Sequence, residues 1–250
     1  MNISFLTTED PLYLPMFFEL VLPVLARRHA VRVFSVPPLY KNQSSAQAAR
    51  RYLATFGTAA TVQLAMRLLQ AKIAGQSIRL VCRREGVAHE VVSDVNTVEF
   101  LNRLRREEAE LLVSVSCPQI FGRALIELPP RGILNIHGAI LPQYRGVLPS
   151  FWMLANGEEQ AGVSIYFVNE KIDAGELCGQ DLFRIDANET LDRFIWRSKR
   201  IAAGLLLRTI DALERGTIER RPLDLAAGSY YRWPDAAAVR RFLASRRRLW

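Results

Sequence analysis

Hydrophobic and polar positions near the start of the chain follow first a strand pattern and then a helix pattern. Residues 2–7 form a short run with apolar Ile3, Phe5 and Leu6 that predicts a buried strand. Apolar residues then recur at helical spacing from Phe17 to Leu25, and residues 31–36 form a second run that is rich in β-branched side chains. Strand, helix and strand in this order predict a parallel α/β sheet.

The same order continues towards the middle of the chain. We expect strands over residues 87–92 and 110–115 and, between them, a helix over residues 95–106 that Asn96 caps. Residues 37–55 are polar and predict no particular element. The sequence before Ile210 contains no repeat, low-complexity linker or domain boundary.

A second helical pattern, over residues 59–73, carries a broad apolar face that is formed by Val62, Leu64, Leu68 and Leu69. A buried core helix is the interpretation that we favour. Two alternatives stay open: this face pairs two copies of the chain in a homodimer, or it lies near a membrane surface that holds a lipid-linked substrate.

The sequence changes in character after Ile210, where glycine and proline become frequent. Asp235 is placed to cap a final helix. We therefore expect a main domain over residues 1–215 and a short basic C-terminal extension over residues 216–250. The extension is too small to fold alone, so we expect it to dock on the main body.

Positive charge is concentrated in this extension. The chain carries a formal net charge of +8, and residues 220–250 hold eight arginines against two aspartates. Such a segment can contact nucleic acid, anionic lipid or a phosphorylated substrate, or it can be a solvated helical face.

Composition excludes several classes of protein. Of the 250 residues, 50% are hydrophobic and 23% are charged, which is typical of globular proteins and not of disordered or fibrous ones. The sequence predicts neither a membrane span nor a signal peptide. Three cysteines (Cys82, Cys117, Cys178) lie far apart without a CxxC motif, and the three histidines are scattered. We therefore expect no disulfide framework, no metal site and a cytoplasmic location.

The candidate chemistry lies around one predicted strand, residues 133–137. There, Asn135 and His137 alternate with apolar neighbours and project from one face of the strand. Ligands of open parallel sheets bind at the carboxyl ends of strands, where an amide can hold an oxyanion and an imidazole can move a proton. Asp173, in the loop after a predicted strand over residues 162–168, is placed to orient that imidazole and to stabilise its charge.

A structural interpretation of the same three residues stays open. An Asn-x-His pattern on a strand serves the fold more often than it serves a reaction. In that case a backbone carbonyl satisfies a buried His137, and Asp173 caps a turn.

A longer set of matching positions surrounds these residues. It consists of Asn135-Ile136-His137 with Leu141-Pro142, then Tyr144-Arg145-Gly146, Pro149, Asn156-Gly157-Glu158, Gly162-Val163 and Ile172-Asp173-Ala174-Gly175. In these motifs and their spacing, residues 110–215 resemble the folate-dependent formyltransferase family, which includes methionyl-tRNA, glycinamide ribonucleotide and nucleotide-sugar formyltransferases. The first hundred residues agree with that family only in the order of strands and helices.

The resemblance implies a Rossmann-like, mostly parallel sheet flanked by helices, and transfer of a formyl group from 10-formyltetrahydrofolate to an amine. It implies that Asn135 binds the formyl oxygen as the tetrahedral intermediate forms. It also implies that His137 stabilises this intermediate and takes or relays the proton of the amine, and that Asp173 holds His137 and assists proton transfer.

Contacts with the folate follow from the same resemblance. Pro118, Ile120 and Phe121 stand where the family binds the pterin, and Asn169 and Ile172 belong to the loop that forms the other wall. The alternative is that Ile120 and Phe121 are ordinary core residues.

On the acceptor side, the resemblance implicates Tyr144, Arg145 and Trp152. Phe151-Trp152 is similar to sugar formyltransferases rather than to the tRNA enzymes, and the rings of residues 230–233 either stack on a base or sugar or dock the extension. We therefore expect a nucleotide-linked amino sugar as the small-molecule substrate and no nucleic-acid partner. Another small amine or an aminoacyl-tRNA is the alternative acceptor.

The sequence departs from related patterns after the first strand. It has no GxGxxG motif there, so a nicotinamide dinucleotide is not implied. Glu9 and Asp10 stand where the glycinamide enzyme has a glycine-rich phosphate loop, and their charge would repel a phosphate. A function of another class also stays open, namely a non-catalytic module that binds folate or nucleic acid.

Overall fold

A seven-stranded sheet organises the part of the chain that the computed structural model describes, residues 1–37 and 44–250. Its strands are β1 (Asn2–Thr8), β2 (Ala30–Val36), β3 (Ala88–Val91), β4 (Leu111–Val115), β5 (Ile133–His137), β7 (Gln160–Phe167) and β8 (Glu176–Arg184). They lie in the order β3-β2-β1-β4-β5-β7-β8. The first five pair in parallel, and β7 and β8 are antiparallel to their neighbours. The predicted α/β class with a mostly parallel sheet is confirmed.

Two short strands, β6 (Arg145–Gly146) and β9 (Tyr230–Tyr231), pair in parallel outside this sheet. The helices of the described chain are α1 (Leu14–Leu25), α2 (Ser45–Ile73), α3 (Ile78–Arg84), α4 (Val98–Arg106), α5 (Arg123–Ile126), α6 (Pro149–Ala155), α7 (Leu191–Glu214) and α8 (Ala236–Ala244). None of them is long and apolar enough to cross a membrane. The cytoplasmic location stays a prediction.

Helices cover both faces of the sheet. α1, α3 and α7 pack on one face, against side chains such as Phe5 and Val113, and α4 and α5 pack on the other, against Leu112. On β5, Leu134 and Ile136 belong to the first of these cores. Because side chains alternate along a strand, Asn135 and His137 of the same strand point away from that core.

The cap predicted for α4 is wrong by one residue. Thr97 caps the helix, and its Oγ1 accepts a hydrogen bond from the N–H of Phe100 at 3.3 Å. Asn96 instead reaches the loop after β4, where its Oδ1 accepts from the N–H of Gly122 at 2.6 Å and its Nδ2 donates to the carbonyl of Ile120 at 3.0 Å.

The prediction of a buried core helix over residues 59–73 is also wrong. This stretch forms the second half of α2, and Val62, Leu68 and Leu69 are exposed. Its buried residues are small, Ala60 and Ala71, and Leu64 is partly buried, whereas the other large apolar residues face outward. The first half of α2 lies in the stretch for which the sequence predicted no element, and residues 38–43 of that stretch lie outside the described residues.

The C-terminal segment packs on the rest of the chain through aromatic rings. Phe242 of α8 is fully buried and stacks on Phe151 of α6, with ring centroids 5.1 Å apart. Asp235 caps α8 as predicted, since its Oδ1 accepts from the N–H of Ala238 at 2.7 Å. The boundary at residue 215 stays a prediction.

We expect Phe242→Ala to lower the free energy of unfolding by about 3–5 kcal/mol, because a buried phenyl ring is replaced by a cavity. Leu243→Ala, at the next position of α8 and 56% exposed, is the matched control and should change it by less than about 0.5 kcal/mol. Urea unfolding monitored by circular dichroism measures both. Equal losses in the two variants would contradict the docking of α8.

Candidate active site

Two polar side chains leave the carboxyl half of β5 on the side opposite its core contacts. Asn135 is partly buried, and His137 is 6% exposed. The antiparallel pairing of β5 with β7 sets Asn135 opposite Tyr166 and His137 opposite Ser164. Directly opposed residues of an antiparallel pair have adjacent side chains, so this register brings four polar groups together.

Tyr166 connects the predicted site residues. Its hydroxyl donates to Oδ1 of Asp173 at 2.8 Å and accepts from Nδ2 of Asn135 at 2.9 Å. Because a carboxylate only accepts, the hydroxyl proton points to Asp173, and the Asn135 amide must turn its NH₂ group towards Tyr166. Burial, and then the charge of Asp173, holds the pKa of Tyr166 well above its ordinary value, so the hydroxyl stays protonated.

The imidazole of His137 has a defined proton position. Its Nε2 lies 2.8 Å from the carbonyl oxygen of Tyr144, which only accepts, so Nε2 carries the proton. Its Nδ1 faces Oδ1 of Asp173 at 3.6 Å. In the neutral ring Nδ1 therefore holds the lone pair that takes a proton, and the resulting imidazolium lies beside a carboxylate. His137 thus has both the carbonyl contact that the structural interpretation predicts and the carboxylate contact that the catalytic interpretation predicts.

Two glycines bring backbone close to Asp173, which is buried in the loop between β7 and β8. The N–H of Gly146 donates to Oδ2 of Asp173 at 2.8 Å. A Cβ at Gly146, where φ is +98°, would lie 2.2 Å from the carbonyl oxygen of Tyr231. A Cβ at Gly175 would lie 1.7 Å from the carbonyl oxygen of Phe167. Only glycine permits these two approaches, which fix the position of the carboxylate.

These groups open into a cleft of about 810 Å³, a volume usual for small-molecule sites. Its lining includes all the residues predicted on the folate side, namely Pro118, Ile120, Phe121, Asn169 and Ile172. Ile120 is 70% exposed, which excludes the core interpretation for that residue. Phe121 is partly buried and also packs against the core beneath α4 and α5.

Side-chain hydrogen bonds shape both walls of the cleft. On one wall, Gln119 accepts from the N–H of Val95 at 2.8 Å, next to the contacts that Asn96 makes. On the other, Asn169 accepts from the N–H of Lys171 at 2.9 Å and also donates to the carbonyl of the residue after Asp173, at 3.1 Å. The walls are therefore held in place without a ligand.

The residues predicted on the acceptor side lie behind the cleft and do not line it. The ring of Tyr144 stacks on Tyr231 with centroids 5.1 Å apart, and the ring of Trp152 lies 4.7 Å from the same Tyr231. The guanidinium of Arg145 lies 5.9 Å from the ring centre of Tyr230. The geometry thus gives Tyr144 and Trp152 the role of holding the C-terminal segment, and it supports no contact between them and an acceptor.

A different group of side chains, from the C-terminal segment and from α2, lines the cleft. Tyr230, Arg232 and Trp233 line it, so the aromatic residues of the extension divide between docking and the cleft. Arg51 of α2 also lines it, and its guanidinium lies 4.3 Å over the ring of Trp233. The sequence carries no signal for Arg51, which lies where no element was predicted.

Lys199 of α7 adds a second cation that the sequence did not indicate. Its Nζ donates to Oγ of Ser116 at 2.6 Å, and both residues line the cleft. Burial lowers the pKa of Lys199 to about 8, and the nearby charge of Asp10 acts against that shift. Burial also raises the pKa of Asp10. The repulsion predicted from Asp10 is therefore offset by a cation from a distant part of the chain.

The site combines an amide N–H donor with a proton acceptor beside a carboxylate. The donor can stabilise negative charge on an oxygen, and the imidazole can remove a proton from a nucleophile, which are the two needs of acyl transfer to an amine. Within the described residues no group of three histidine, cysteine, aspartate or glutamate side chains is placed to hold a metal ion.

Comparison with known proteins finds a family for most of the chain. The model of the family described as formyl transferase matches residues 35–210. The methionyl-tRNA formyltransferase of Moorella thermoacetica is 34% identical over 138 residues, which are 55% of this chain and 44% of that protein. The chain spans about half the length of the curated relatives it matches.

Solved structures share the fold at lower identity. A sugar N-formyltransferase from a Shewanella species has a TM-score of 0.61 and 17% identity, over 93% of this chain and 76% of that one. An N-formyltransferase from Helicobacter canadensis, in complex with folinic acid and dTDP-3-aminofucose, has a TM-score of 0.60 and 18% identity, over 93% of this chain and 71% of that one.

We expect Lys199 to make the stability of the protein rise with pH. Its pKa is about 8 in the folded chain and has the ordinary value of 10.5 when the chain is unfolded. Between these values the unfolded state binds more protons, so the free energy of unfolding increases with pH.

Urea unfolding at about pH 7.5 and about pH 10 tests this with the wild type and Lys199→Met. The difference in the free energy of unfolding between the two proteins cancels the titration of other groups. This difference should shift in favour of the wild type at the higher pH. Lys72→Met, at an exposed lysine, is the matched control. The same change in both variants would contradict the prediction.

Proposed function

This chain belongs to the formyl transferase family, and we propose that it moves a formyl group from 10-formyltetrahydrofolate to the amine of a nucleotide-linked amino sugar. The observation that carries the proposal is a set of contacts among polar residues that line a large cleft. Tyr166 connects Asn135 with Asp173, and His137 lies directly beside Asp173. These are the residues and the contacts that attack of an amine on a formyl carbon requires.

Each side chain has one task in that reaction. The donor supplies an electrophilic formyl carbon. The second amide hydrogen of Asn135 has no partner among the described residues, and it stabilises the oxygen that becomes negative as the amine attacks. Nδ1 of His137 takes the proton that the amine loses, and Asp173 stabilises the imidazolium. His137 then returns the proton to the nitrogen that leaves.

The folate side of the cleft fits this donor. Ile120, Phe121 and Ile172 offer apolar surface for a flat ring, and the adjoining backbone offers hydrogen-bonding groups. The walls are held by their own hydrogen bonds, so binding the donor costs little ordering.

The acceptor side supports a nucleotide-linked substrate. Tyr230 and Trp233 present rings on which a base can stack, while Arg51 and Arg232 present cations to a diphosphate. Lys199 adds a further cation closer to the sheet.

Aminoacyl-tRNA is the second candidate for the acceptor. It is favoured by curated relatives that share sequence with this chain, among them the methionyl-tRNA formyltransferase that is 34% identical over 138 residues.

We expect Asn135→Ala to lower turnover about 100- to 1000-fold, because one donor to the developing oxyanion is lost. Asn135→Asp keeps the shape of the side chain but cannot donate, so it should lose a similar factor. Asn102→Ala, at an exposed residue of α4, should leave turnover unchanged. Near-normal turnover in Asn135→Ala, with the fold confirmed by circular dichroism, would contradict the role of this amide.

We expect the protein to release tetrahydrofolate from 10-formyltetrahydrofolate in the presence of one member of a panel of nucleotide-linked amino sugars. Absorbance measures this release. Arg232→Ala should raise KM for that sugar with little change in kcat, because a contact remote from the reacting atoms is lost. Arg240→Ala, on the exposed side of α8, is the control.

Two other results would overturn parts of the proposal. Turnover with methionyl-tRNA alone would replace the sugar by the second candidate acceptor. Tight binding of folate without turnover on either kind of acceptor would favour the non-catalytic module.

A further inference from the structure

The outward face of the second half of α2 is apolar and uncovered in the described chain. Its stripe consists of Val62, Met66, Leu69 and Ile73, each more than half exposed. Steps of four, three and four residues place these side chains on a single line along the helix.

The apolar surface continues beyond the end of the helix. Leu80 of α3 is also more than half exposed, and its Cδ2 lies 3.8 Å from the position of a Cβ at Gly75, in the turn that follows α2. We call the stripe together with Leu80 the outer patch. Single exposed apolar residues are ordinary on protein surfaces, whereas a continuous patch of five marks a contact surface.

Positive charge predominates in the sequence stretch that carries the outer patch. Residues 20–84 contain eleven lysines and arginines and no aspartate or glutamate. Near the patch, Lys72, Arg79 and Arg83 are exposed, and unlike Arg84 they form no ion pair within the described residues. The partner of this surface therefore has apolar groups at its centre and negative charge around them.

We propose that the outer patch docks the protein on an anionic lipid membrane. A helix with an apolar stripe and flanking cations lies in the interface of a bilayer, with the stripe among the acyl chains and the cations at the headgroups. Charge complementarity is what selects this occupant, because the unpaired cations gain partners there.

A second copy of the chain fits the patch less well. The stripe extends over about 16 Å of helix, and two such lines in contact cover much less than the roughly 1,200 Å² of a stable interface. Pairing would also bring the cations of both copies to one interface, and residues 20–84 contain no acidic residue to neutralise them.

Flotation of the full chain with vesicles tests the proposal without any measurement of turnover. We expect binding to vesicles of equal parts phosphatidylglycerol and phosphatidylcholine, and weak binding to phosphatidylcholine alone or at high salt. The double variant Met66→Glu with Leu69→Glu should bind the anionic vesicles at least about tenfold more weakly, since two apolar side chains that would enter the bilayer become charged.

Val98→Glu, at an exposed position of α4 away from the patch, is the matched control and should bind like the wild type. Because all three substituted positions are exposed, thermal unfolding should show the fold retained in both variants. Absence of binding to anionic vesicles, or binding that the double variant retains, would overturn the proposal. So would a dimer in light scattering that the double variant separates, because the occupant would then be a second copy.

Discussion

The hydrogen bond from Tyr166 to Asp173 is the contact on which the site depends. A buried carboxylate is stable only when hydrogen bonds replace the water that it loses. Asp173 receives them from the Tyr166 hydroxyl and the Gly146 N–H, and the His137 ring lies beside it. The same hydroxyl accepts from the Asn135 amide, so the orientation of that amide follows from the need to satisfy the carboxylate. The close approaches at Gly146 and Gly175 serve this one requirement.

Much of this site could be predicted from the sequence, because the strand and the loop that carry its residues are each defined by a short stretch of chain. Alternation of apolar and polar residues gives β5 and its polar face, and it places Asp173 in a loop after β7. The part played by Tyr166 could not be predicted, since it depends on the antiparallel register that sets this residue opposite Asn135. Likewise, Lys199 and Ser116 lie 83 positions apart, and no periodicity connects them.

Two of the wrong predictions, those for Tyr144 and Trp152 and for α2, have a common physical origin. Local sequence does not show which other segment of the chain covers an apolar or aromatic side chain. Tyr144 and Trp152 stand in motifs beside the predicted catalytic residues, but the C-terminal segment packs on them, and its own side chains line the cleft. In α2, periodicity correctly identifies a helix with an apolar face. It does not tell which face is turned inward. Here Ala60 and Ala71 are buried and Leu64 is partly buried, whereas the other large apolar side chains are exposed.

The two halves of α2 therefore differ in what they pack against. Gly57, with φ of +84°, separates them. In the first half, Phe56 packs against Phe151 and Trp233, and Arg51 lines the cleft. The second half gains little from the alanines of its inner face, since a helix in a protein is stabilised mainly by burial of its apolar side. Leucine, methionine and isoleucine in water do not serve that purpose, and polar helix formers would suit a merely solvated surface equally well. The proposed membrane contact would bury the stripe and give these side chains a stabilising role, and Arg51, which lines the cleft, lies on the same helix.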